Sequence, residues 1–262
     1  MTIPLDVFDI WDGFLLVFIR VTGLFVVSPV FGRQNIPAYY KIGFSFFMAI
    51  ILTYSIPVPD LGSYNSIFAF ILLAAKEFLI GLALGYISYI IITAIYLAGQ
   101  MIDMHIGFGM VSVFDPVSNI QIPVTADLYF ILTMLVFLAI DGHHLLIYTL
   151  SESFSRLPTG SALIIEKPLI DSVVRLFGSV FVISFKIAAP VTAAILVVDV
   201  ALGVISKAVP QVNVFIVGLP IKILIGLLVI LLTLAAFRNI VHVITAGMQS
   251  EMTNFIDLIK GE

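Results

Sequence analysis

From Phe78 to Ile102 the chain carries no charged side chain, and the helical stretch around it, about Ser66 to Met104, contains no proline. A helix of that length, at about 1.5 Å per residue, outruns a hydrocarbon core of roughly 30 Å even when tilted. Further uncharged runs follow the same habit: Val21 to Gly32 behind Arg20, Ile42 to Pro59, Leu128 to Ile140, Ile187 to Val198, Ala208 to Ile221 and Ile223 to Phe237. Several fall short of the roughly 20 residues that a simple span needs. Charged residues make up only 11% of the chain and hydrophobic ones 61%, with a mean hydropathy of +1.20, whereas an ordinary soluble domain is about a quarter charged. These features predict an all-α integral membrane protein built of long helical hairpins.

Breakers set the expected organisation. Helices are expected at about Gly13 to Phe31, Tyr39 to Tyr54, Ser66 to Met104, Pro123 to Phe154, Lys167 to Ala208 with Pro190 inside, and Gly218 to Asp257. Between the last two lies SKAVPQVNVFIVGLPIK, whose Pro210, Gln211, Asn213, Gly218, Pro220 and Lys222 predict a hairpin turn. No internal repeat or low-complexity linker appears, so one continuous helical domain over 1–262 is expected. The acidic start MTIPLDVFDIWDG lacks the basic region of a cleavable signal peptide, so the first helix is expected to stay in the mature protein. Counting basic residues across the loops gives no consistent orientation, a hint that these hairpins are not ordinary spans.

Charges interrupt the apolar sequence at Arg20, Lys76, Glu77, Asp141, Lys186, Asp199 and Lys222. Each would cost about 2.5–3.5 kcal/mol at a lipid-facing helix centre, so they are expected to face protein or water. Snorkelling to the headgroups fits Arg20 and Lys222 better than Lys76 and Glu77. Lys76, Glu77, Asp141, Lys186 and Asp199 are therefore expected to be buried, at contacts with other subunits. The spacing of GLALG, Gly81 to Gly85, and of Ala94 to Ala98 offers faces on which another helix can approach closely.

Chemistry is sparse. With no cysteine there is no disulfide or thiolate metal site, and a net charge of −4 provides no basic stripe for nucleic acid. Asp103, His105, Asp141, His143 and His144 are imaginable as carboxylate and imidazole ligands. The HExxH pairing is missing, as are the GxSxG elbow, the Walker loop and GxGxxG. DGHHLL reads as a polar interruption at a membrane boundary; no metal, cofactor or enzymatic activity is expected. An ion-coupled secondary transporter would predict two related halves; none is visible. A structural subunit of a larger pore best accommodates GFGMVSVFDP, because irregular backbone at membrane depth is tolerated only in protected places. Phe108, Met110, Val113 and Phe114 would close a passage sterically and by dewetting. Gly107 and Gly109 would let the backbone move, and Asp115-Pro116 would stop helix propagation.

Three passages in this order, GQMIDMHIGFGMVSVFDP (Gly99 to Pro116), FLAIDGHHLLIYTLSESFSRLP (Phe137 to Pro158) and PQVNVFIVGLPIKILIG (Pro210 to Gly226), resemble the FliR/SctT family of type III protein-export gates. DGHH favours the flagellar over the injectisome branch. The resemblance implies a FliP-like portion, about 1–205, followed by a FliQ-like hairpin, about 206–262, in a helical hetero-oligomeric assembly. That assembly would lie in the bacterial inner membrane at the flagellar basal body. FliP, FliQ and FlhB homologues, membrane lipid and unfolded exported flagellar proteins are the implied partners. The family's plug loop would map to Ile106 to about Ile122, with Gly109 where relatives often carry serine.

Overall fold

A computed structural model of the chain describes residues 5–33, 35–55, 67–108, 123–161, 167–211 and 213–260. Seven helices form among them: α1 Leu5–Val27, α2 Ala38–Ser55, α3 Ile67–Ile106, α4 Val124–Ala139, α5 Gly142–Arg156, α6 Lys167–Ala208 and α7 Val214–Lys260. No strand occurs among the described residues, so the all-α expectation holds. Helices α3, α6 and the Ile216–Lys260 part of α7 are long and apolar enough to cross a membrane; α4 with α5 adds a fourth if that broken pair is one span. At 40, 42 and 47 residues, α3, α6 and α7 reach about 60–70 Å, roughly twice a bilayer core.

Polar side chains inside these helices satisfy themselves locally. The hydroxyls of Thr22, Ser45, Thr53, Thr133, Thr149 and Thr192 each donate to the carbonyl four residues back, which spares an apolar surrounding any unpaired group.

Two compact units are formed, one from Met1–Ile91, Asp141–Leu176 and Thr245–Glu262, the other from Ile92–Ile140 and Phe177–Ile244. Helices α3, α6 and α7 each contribute to both units. In the first unit α1 crosses α3 at backbone contact. A Cβ built on Gly23 would sit 2.6 Å from the Phe78 carbonyl, and one on Gly85 2.7 Å from the Leu24 carbonyl. The GLALG face thereby seats α1, with Leu16, Leu24, Phe25 and Leu84 fully buried. Helix α2 joins through rings: Phe25 meets Phe31 at 4.6 Å and Phe44 at 5.1 Å between centroids, contacts worth about 0.5–1.5 kcal/mol beyond their buried area.

In the second unit Ala94 and Ala98 are fully buried, and Ser184 of α6 donates to the Ala94 carbonyl at 2.7 Å. Tyr129 of α4 packs on Phe237 of α7.

Two expectations change. The segment Pro123 to Phe154 is broken at Asp141, which takes the left-handed conformation at φ 58°. Asp is among the few non-glycine residues that adopt it readily. The hairpin turn is also shorter than expected. Pro210 and Gln211 turn the chain and Asn213 starts α7, its carbonyl accepting the Ile216 and Val217 amides. Gly218, Pro220 and Lys222 lie inside α7. Pro220 removes one helical hydrogen bond without ending the helix, as neighbouring helices permit in apolar bundles. Residues 206–262 accordingly form no hairpin of their own; the hairpin is α6 with α7, closed where Asp199 pairs with Lys222.

Candidate functional site

In the second unit the end of α3 and the start of α4 are held together by a clamp. Helix α3 stops as helices commonly do, with glycine at positive φ: Gly107 lies at φ 98° and its amide donates to the Asp103 carbonyl at 3.1 Å. The start of α4 has no side-chain cap from its own Pro123, leaving N–H groups that need acceptors. Asp103 supplies them from α3. Its Oδ1 accepts the Thr125 amide at 2.9 Å and its Oδ2 the Ala126 amide at 3.2 Å, with the residue 6% exposed. A carboxylate there also meets the positive end of the helix dipole. Gly99, one turn before Asp103, lies against the Ala126 backbone so closely that a Cβ would overlap the Ala126 Cα.

Ile106 is fully buried; a Cβ on Gly226 of α7 would lie 2.7 Å from its Cγ1. Beside Gly107 a cavity of about 390 Å³ is lined by Ile106, Leu202 and Leu219 together with the paired Asp199 and Lys222. Ile106, Gly107 and Phe108 are the members of the expected plug that the structure describes. Gly109, Met110, Val113, Phe114, Asp115 and Pro116 lie outside the described residues.

Replacing Asp103 by alanine removes both acceptors. The expected cost is about 1–2 kcal/mol, as for loss of a strong N-cap. Amide exchange at Thr125 and Ala126 should quicken selectively; exchange as slow as in the parent chain would show that the clamp is redundant.

The expected buried charges separate into two groups. Arg20 and Glu77 have side chains with 0% exposure, and Arg20 Nε donates to Glu77 Oε2 at 2.6 Å. Arg20 Nη1 donates to the carbonyls of Ser153 and Leu157 at 3.2 and 3.0 Å, and the guanidinium stacks over Phe154 at 4.2 Å. Glu77 Oε1 accepts the Gly160 amide at 3.1 Å, and Lys76 Nζ donates to the Ser161 carbonyl. Snorkelling is therefore wrong for Arg20, which pairs with Glu77 across α1 and α3. Glu77 is satisfied inside its own chain by Arg20 and the Gly160 amide. Asp141, Lys186 and Asp199 are exposed on this chain. Lys222 is half-buried and paired with Asp199.

Of the imagined metal ligands, Asp141, His143 and His144 come together, each with a ligand atom within 4.8 Å of the others. Asp103 is engaged as the cap of α4, and His105 is exposed. Sequence reasoning missed the Arg20–Glu77 pair and the capping role of Asp103. One signal was present for the pair: Arg20 is the single basic residue of α1, and Glu77 the single acidic residue between Ile67 and Ile102.

The family described as "Bacterial export proteins, family 1" matches residues 12–248. The chain is similar to the flagellar biosynthetic protein FliR of Bacillus subtilis (strain 168), at 35% identity over 97% of this chain and 98% of that one. It is similar also to the proteins of that name from Aquifex aeolicus (strain VF5), at 29% identity over 94% and 92%, and from Escherichia coli (strain K12), at 26% over 92% and 90%.

Proposed function

Because the chain belongs to the bacterial export proteins, family 1, we propose that it is a membrane subunit of the flagellar type III export gate. In this reading it sits in the inner membrane at the flagellar basal body and helps to form and seal the conduit for unfolded flagellar proteins. Relatives that carry the flagellar name along nearly their whole length support the flagellar over the injectisome branch. FliP, FliQ and FlhB homologues are the proposed neighbours, with α6 and α7 as the FliQ-like hairpin. Exposed Lys186, within the uncharged surroundings of α6, favours burial against such neighbours or water over lipid.

The observation that carries the sealing role is the clamp. Asp103 and Gly99 fix both roots of the Ile106 to Ile122 loop on rigid helices, so the apolar residues between them can obstruct a lumen while their anchor stays still. An entering polypeptide displaces the loop; the roots hold. Deleting Gly107 to Asn119 in complexes assembled with the co-expressed partners should raise resting ion conductance across a bilayer severalfold. Normal assembly with unchanged conductance would end the plug reading.

A further inference from the structure

We propose that Asp141, His143 and His144 form a binding site for a divalent transition-metal ion, with Zn²⁺ as its best probe. The site is built by the break between α4 and α5. The left-handed φ of 58° at Asp141 places its carboxylate against the first turn of α5, where His144 Nδ1 lies 3.6 Å from Asp141 Oδ1. The rings of His143 and His144 lie side by side, 4.2 Å between centroids. One ligand atom from each of the three residues falls within 4.8 Å of the others. A modest turn of the exposed Asp141 and His144 side chains converts that spacing into coordination distances of about 2.0–2.2 Å.

A separate observation points to a missing ligand. His143 Nδ1 is buried, yet it has no hydrogen-bond partner among the described residues. Buried polar atoms are nearly always paired, and an orphan calls for a water or an ion. Two imidazoles and one carboxylate suit zinc and its transition-series neighbours, whereas magnesium and calcium prefer all-oxygen sets. With three protein ligands and exposed Asp141 and His144, water or a partner's side chain completes the shell. A bound ion ties the residue before α5 to the first turn of α5. It thereby stiffens a helix start that has no side-chain cap of its own. The inference stands independently of the export reading.

The test uses the full chain purified in detergent without a polyhistidine tag, stripped with chelator and equilibrated against micromolar Zn²⁺ in excess Mg²⁺. Elemental analysis should find close to one zinc per chain. His144→Gln and Asp141→Gly should each weaken binding at least tenfold. Both are mild changes, since His144 is exposed and glycine adopts the Asp141 conformation without steric cost. His105→Ala and His242→Ala should leave binding unchanged. Zinc should also raise the unfolding midpoint of the parent chain and not that of Asp141→Gly. Substoichiometric zinc, or retention undiminished in His144→Gln and Asp141→Gly, would overturn the site.

Discussion

Replacing Glu77 by alanine lowers the stability of the chain by about 3–5 kcal/mol, the usual cost of leaving one member of a buried ion pair without the other. The geometry explains why the figure belongs at the upper end for a point substitution. Arg20 would remain with 0% exposure and would lose its charged partner at 2.6 Å. The Ser153 and Leu157 carbonyls and the Phe154 ring would still touch the guanidinium, but none carries a compensating charge. The Gly160 amide would lose its acceptor as well, freeing the turn after α5. Unfolding followed in mixed detergent micelles should show the loss, and limited proteolysis should cut sooner near Gly160. Replacing both partners, Arg20→Met with Glu77→Leu, should recover most of the stability, because apolar pairs of similar volume need no desolvation. A Glu77→Ala chain as stable as its parent would mean that the guanidinium finds water, and that the pair is not sealed.

The pair also shows what could be read in the sequence and what could not. Long apolar stretches fix long helices: Lys167 to Ala208 is read correctly to the residue, and α3 differs by one or two at its ends. Such stretches write their own limits through charge and proline. Partners far apart in sequence leave no such mark. Arg20 and Glu77 are 57 residues apart, and apolar periodicity says nothing about which charges meet. Asp103 looked like a ligand because its type is chemically versatile; its geometry makes it the cap of a helix whose own Pro123 cannot serve. The break at Asp141 was half legible. Asp-Gly is a turn signal, but the apolar pattern continues through it, and pattern prevailed over punctuation. At Pro220 the reverse error arose: punctuation suggested a turn where packing keeps the helix intact.

Gly81→Ala is expected to destabilise by about 1–2 kcal/mol net, against the helix propensity of the two residues. In an open helix the substitution gains up to about 1 kcal/mol. Gly43 of α2 is such a site, with nothing within 4 Å of an added Cβ; Gly43→Ala should be neutral or stabilising. At Gly81 the added carbon would overlap the Arg20 carbonyl oxygen and lie 2.9 Å from the Arg20 carbonyl carbon. Both obstacles are backbone, so no rotamer change relieves them. The helices must part, and the roughly 1–3 kcal/mol typical of overpacking outweighs the propensity gain. The obstructed residue is Arg20 itself, so parting α1 from α3 also stretches the bond to Glu77. Gly81→Ala and Glu77→Ala should therefore cost less together than the sum of their separate costs, as neighbouring sites that break one shared contact do. Strict additivity in the double-mutant cycle would show that glycine spacing and ion pair hold the two helices independently.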